Sequence, residues 1–269
     1  MQVSRAYVQA FVNQLEKVDA RVRNLLQQQI AKRNLEQRIA DGDADAYEEV
    51  SDIMQIAVTG GADMASALSA RYYNGLREAS KPKTPYEARI SPTVDMGSVT
   101  RAAFAVEAEF ARGATSKPLA DLLADSATRF THYAADETVR QNTKRDPAKP
   151  KYAILPGVDA CEFCRMRAAL GDEYANRASA ESHNNCTCAA VPVFGNSKIQ
   201  GYDPKADRDA YAAARDAYRN GEYSEALAKK IEAAKERHNA AYERNEVARP
   251  WRETNAILMV WREMDKGEA

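Results

Sequence analysis

Residues 3–30 read VSRAYVQAFVNQLEKVDARVRNLLQQQI. Val3, Tyr7, Phe11, Leu15, Val18, Val22, Leu25 or Leu26, and Ile30 recur at intervals of three and four, the period that returns side chains to one face of an α-helix. Gln, Arg and Lys fill the other face, so one long amphipathic helix is expected over 3–40.

The pattern continues downstream. A second helical block runs from about Ala44 through Val58 and resumes from Ala62 to Ala79, with Met64, Leu68, Tyr72 and Leu76 on one face. Gly60-Gly61 lies between the two parts, and its low helix propensity predicts a kink or short turn. Pro82, Pro85 and Pro92 mark 80–97 as a connection between helical layers. Val99, Ala103, Val106 and Phe110 define the next helix, and Leu119, Leu122 or Leu123, Ala127, Phe130 and Tyr133 another, with a turn from Gly113 to Pro118. Residues 1–143 are therefore expected to form an all-α domain.

Composition agrees with a mainly α fold. Alanine makes up roughly a fifth of the chain, a bias toward helices with small-residue contacts. The 269 residues carry 38 basic and 39 acidic side chains, and a net charge of −1 gives bulk charge no preference for a polyanion or a membrane surface. With 45% hydrophobic and 29% charged residues the chain should fold rather than stay disordered. No run approaches the roughly 18 to 20 uncharged apolar residues of a spanning helix, and the N-terminus lacks the apolar stretch of a signal peptide, so a soluble, intracellular chain is expected.

From Arg140 to Lys151 five cations, Arg140, Lys144, Arg145, Lys149 and Lys151, face one acid, Asp146, with Pro147 and Pro150 among them. This reads as a solvated linker, with a phosphate-contacting strip as the alternative. Character then changes over 144–200, where the β-like runs Tyr152–Leu155 and Ala189–Phe194 bracket all four cysteines.

Those cysteines form a pattern: Cys161-x2-Cys164, an 18-residue spacer, then His183-x2-Cys186-x-Cys188. Crowded cysteines in a cytosolic chain point to a metal before a disulfide framework, and a tetrahedral zinc takes four such donors. Cys161 and Cys164 on a first helical turn point one way, and Cys186 and Cys188 on a strand share a face, so the two pairs can meet at one ion. Arg165 and Arg167 would favour thiolates, and the expected role is a structural zinc with no open position. Five candidates for four places leave His183 as either ligand or orienting group. The competing readings are reduced cysteines packed as small hydrophobes, or a Cys161/Cys164 redox pair without the βαβ context such pairs have.

Residues 201–269 return to helix. Asp203-Pro204 is a helix start, and Asn220-Gly221 separates that helix from one beginning near Ser224, giving a helical hairpin. Ala214, Tyr218, Gly221, Tyr223 and Ala226 echo one tetratricopeptide unit, but there is no second copy. From Pro250 a tail helix sets Ile257, Leu258, Trp261 and Met264 on one face, expected to pack back onto the body.

The segments CEFCRM (161–166), SHNNCTC (182–188) and VPVF (191–194) resemble the Mu F-like head morphogenesis group of tailed-phage minor head proteins. The likeness is nearest to its actinobacterial-phage branch, often labelled capsid maturation protease, and covers roughly 98–200. It implies a low-copy head component that associates with the portal protein, meets the major capsid protein during procapsid assembly and ends in the virion. A maturation protease that cuts capsid or scaffold protein is the alternative function, and a protein contacting packaged DNA through the basic run and the first helix is the second.

A protease needs a nucleophile and a base in reach, and His132, His183 and His238 are the only histidines. Thr128, His132 and Asp136 share a helical face at intervals of four, but such spacing arises freely in helices and a helix-surface role is the expected one; His238 sits in a charged, solvated stretch. Gly-x-Ser-x-Gly, phosphate-loop and His-Glu-x-x-His signatures are lacking, so no residue is assigned as catalytic.

Overall fold

The computed structural model describes residues 2–113, 116–157, 160–169, 171, 188–244 and 250–267. They fall into two compact units, one drawn from Met1–Gly157 and Asp172–Gly201, the other from Val158–Gly171 and Tyr202–Ala269. The sequence reading cuts the chain into three consecutive stretches, at 143 and 200.

The first unit is built on α1 (Arg5–Lys32), α2 (Leu35–Ala40), α3 (Ala44–Ser80), α4 (Met96–Ala111) and α5 (Leu119–Arg145). Val18, Val22, Leu26 and Ile30 of α1 are buried against Val50, Ile53, Met54 and Ala57 of α3 and Leu119, Leu123, Ala127 and Phe130 of α5. Each such aliphatic side chain contributes about 1.5–3 kcal/mol relative to exposure, so the apolar stripe is what assembles the body.

Two expectations are corrected here. The helix expected over 3–40 breaks at Arg33 and Asn34: Asn34 takes a left-handed φ of 51°, and the reoriented α2 buries Leu35 and Ile39. Asparagine is among the few residues that tolerate that conformation. Conversely, α3 runs unbroken through Gly60-Gly61. A Cβ on Gly61 would lie 2.8 Å from both Val22 Cγ2 and Thr131 Oγ1, so this glycine marks the closest approach of three helices. Close packing there outweighs the propensity cost that the sequence advertises.

Small sheets complete this unit. The two β-like runs pair antiparallel as β2 (Lys151–Leu155) and β3 (Ala189–Val193), in the register Lys151↔Val193 through Leu155↔Ala189. β1 (Gln2–Val3) pairs in parallel with β4 (Lys198–Ile199). The basic run is not a free linker. Its first part is the last turns of α5, which ends at Arg145, and Lys151 opens β2.

Residues 81–95, expected as a connection, form an ordered strap tied down by side chains. Asn142 donates to the Arg89 carbonyl at 2.8 Å and accepts from the Arg89 amide and the Tyr86 hydroxyl, each at 2.7 Å. Asn74 accepts from the Ala88 amide, and Thr138 donates to the Ser91 carbonyl. Asp95 then caps α4 through the Gly97 amide.

The second unit holds α6 (Glu162–Ala168), α7 (Pro204–Asn220), α8 (Glu225–Glu243) and α9 (Glu253–Lys266). As the sequence predicts, Asp203 caps α7 with Pro204 at its first position, and Ser224 caps α8. Gly221 ends α7 at φ 72°, the conformation glycine adopts without strain. The tail helix α9 buries Ile257 and Trp261 beside Ala214 of α7, and Trp261 meets Tyr211 edge-on at 6.0 Å. No helix among the described residues is long and apolar enough to cross a membrane.

Candidate functional site

The cysteine segment is built from α6 outward. Cys161 is the N-cap residue of α6 and half-buried, and Cys164, one turn on, is buried. Both belong to the second unit. Cys188, also buried, directly precedes β3 in the first unit. His183 and Cys186 lie outside the described residues. No disulfide joins the described cysteines, and no group of three metal-type donors occurs among the described residues.

Charge fixes α6 in its unit. Arg165 Nε donates to Asp207 Oδ1 at 2.9 Å, its Nη1 pairs with Asp265, and its guanidinium stacks 4.6 Å over the Trp261 ring. Arg262 pairs with Glu162 at 2.9 Å. Burial lowers the Arg165 pKa, but the hydrogen bond to Asp207 and the charge of Asp265 outweigh it and leave it raised. The Tyr202 hydroxyl and Arg208 donate to the Ala168 and Ala169 carbonyls, satisfying the C-terminal end of α6.

This changes the electrostatic reading of the thiols. Arg165, expected to support thiolates, is engaged by two carboxylates, while Arg262 of α9 lies close enough for Cys161 to act on its charge. Sequence spacing gives no sign of Arg262, which is 101 positions from Cys161. The donor chemistry fits zinc in part: two thiols three residues apart at a helix start can supply one edge of a tetrahedron.

The protease constellation is not assembled. Thr128 Oγ1 donates to the Ala124 carbonyl of its own helix at 2.8 Å. His132 Nε2 lies 2.8 Å from Asp19 Oδ2 of α1, and Asp136 Oδ1 accepts from the Ala190 amide of β3 at 3.1 Å. Three residues on one face thus point to three different partners: Thr128 bonds its own helix, while His132 and Asp136 tie α5 to α1 and β3. His238 stands edge-on to Trp251 at 5.7 Å in the second unit.

Two other buried polar groups were missed by sequence reasoning. Asp146 accepts from Arg77 Nε at 2.7 Å, from the Tyr73 hydroxyl at 3.1 Å and from the Ala148 amide at 2.8 Å. Arg77 also donates to the Thr84 carbonyl, so this one ion pair fixes α3, the strap and the end of α5. Glu107 of α4 is fully buried and neither carboxyl oxygen has a hydrogen-bond partner among the described residues; burial pushes its pKa up to about 7.

A helical body with structural polar pairs and a cysteine-bearing segment does not by itself define a class, and the family match points to a phage protein. The family model described as VG15 protein matches residues 2–214, well over half of the chain, and the chain belongs to that family. Searches of curated proteins and of solved structures gave no match.

Proposed function

We propose that the chain is a minor head protein of the Mu F-like kind, a structural component that joins the portal during procapsid assembly and remains in the phage head. One observation carries this reading: residues 2–214, matched to a phage family, contain the order of helical body, Cys161-x2-Cys164 and His183-x2-Cys186-x-Cys188. Its partners are then the portal and the major capsid protein, first in the host cytoplasm and later in the virion.

In the same reading the cysteine segment holds a structural zinc. Cys161 and Cys164 would supply two thiolates, with the remaining donors from His183, Cys186 and Cys188. Such an ion stiffens a segment too short for a core of its own. Such a site needs deprotonated thiols.

The test is co-expression with the cognate portal and major capsid proteins, followed by intact-mass analysis of the particles. Co-purification with every mass unchanged is the expected result. A capsid subunit truncated only when this chain is present would instead establish a maturation protease, and absence from the particles would overturn the head reading.

A further inference from the structure

Two stretches remote in sequence, 81–89 and 144–149, meet at one corner of the first unit. Asn142 bonds Tyr86 and both backbone groups of Arg89, and Ala148 lines one open cavity of about 340 Å³ with Ser80, Pro82, Lys83, Thr84, Phe194 and Gly195. The exposed charges of the two stretches are Lys81, Lys83, Arg89, Lys144, Arg145 and Lys149 against Glu87 alone. Asp146, the other acid, is buried and neutralised by Arg77.

These cations differ from several arginines of the same unit. Arg23, Arg33, Arg38 and Arg140 are each paired with a carboxylate, whereas none of the six corner side chains has one among the described residues. Helix dipoles account for part of the cluster, since α3 ends at Ser80 and α5 at Arg145, and cations are favoured in a last turn. Lys144 and Arg145 fill that role. Lys83, Arg89 and Lys149 lie beyond the last turns and Lys81 is the C-cap residue of α3, so the dipoles leave most of the cluster unexplained. Lysines predominate, and a lysine is a point charge suited to a phosphate oxygen, whereas planar carboxylates favour the arginine fork.

We propose that this corner binds the phosphate backbone of nucleic acid, with Lys83, which lines the cavity, and Lys81 and Lys149, each next in sequence to a lining residue, making the central contacts and Arg89, Lys144 and Arg145 flanking them. The strap is already ordered by Asn74, Asn142, Thr138 and Arg77, so binding costs little backbone entropy. Contact is to phosphates and is therefore independent of base sequence. Arg140, part of the basic run, is excluded because Glu137 holds it. The inference stands apart from the head-assembly reading and does not require it.

The experiment is fluorescence anisotropy of the full chain with a labelled DNA duplex of mixed sequence, across a salt series from about 50 to about 200 mM. Binding that weakens steeply with salt is expected. The triple variant Lys81→Ala, Lys83→Ala, Lys149→Ala should lose about tenfold or more in affinity and flatten the log–log salt slope by roughly 2 to 3. Lys17→Ala with Lys32→Ala, exposed on α1, should change neither. The triple arginine variant should retain binding and controls for folding, alongside thermal melts. Failure to bind at the lowest salt, a triple alanine variant equal to wild type, or an α1 variant that loses as much would each overturn the proposal. Displacement by polyglutamate as effective as by unlabelled DNA would assign the corner to acidic peptides and overturn it too.

Discussion

Arg77 of α3 and Asp146 at the end of α5 meet in the interior, Nε to Oδ2 at 2.7 Å, although 69 positions separate them. Asp146→Asn leaves a buried guanidinium without its counter-charge, a loss of about 3–5 kcal/mol. Denaturant unfolding should show it, and Arg77→Met together with Asp146→Asn should recover part of the loss. A single variant as stable as wild type would mean the pair does not hold the strap.

Gly60 and Gly61 should respond in opposite senses. Gly60 has open space around its Cβ position, so Gly60→Ala gains about 0.5–1 kcal/mol from helix propensity. Gly61→Ala presses a methyl on Val22 and Thr131 and costs about 1–3 kcal/mol. Thermal melts of the two variants against wild type test the contrast, and equal shifts would contradict it.

Glu107 should make stability depend on pH. Its folded pKa of about 7 lies above the ordinary 4.5, so between those values the folded chain keeps a proton that the unfolded chain releases. The contribution is present below pH 4.5 and is lost as pH rises through 7. Glu107→Gln should melt higher than wild type at pH 8, by about 2–6 °C, with little difference at pH 4.5. A melting difference that does not change with pH would show that the carboxyl does not titrate in this window.

If the thiols of α6 hold zinc, Cys161→Ser with Cys164→Ser should reduce the zinc content of purified protein and lower its melting temperature by several degrees. Elemental analysis and calorimetry read the two effects. Unchanged metal and unchanged stability would remove Cys161 and Cys164 from the ligand set.

Much of the helical body was legible because burial imposes a period. Val18, Val22, Leu26 and Ile30 are buried as their spacing requires, and Asp203 and Ser224 cap the helices they precede. Local signals failed where distant partners decide. Gly60-Gly61 reads as a break until Val22 and Thr131 are known to press on Gly61. The spacing of Thr128, His132 and Asp136 suggested chemistry, but Asp19 and Ala190, which engage the latter two, are 113 and 54 positions away. The basic run was visible as charge, whereas its convergence with Lys81 and Lys83 depends on the Asn142 bridge to the strap.

The pairing of Val3 with Ile199 bears on how the chain leaves the ribosome. Synthesis runs from the N-terminus at about 5–20 residues per second. The five helices are therefore complete well before β3 and β4 exist. During that interval of several seconds to tens of seconds β1 and β2 have no strand beside them, and an unpaired edge is an invitation to pair with another nascent chain. High-level expression should therefore expose a kinetic weakness before β4 is made, and a lower expression level, which leaves fewer nascent chains to pair with, should raise the yield of correctly closed molecules.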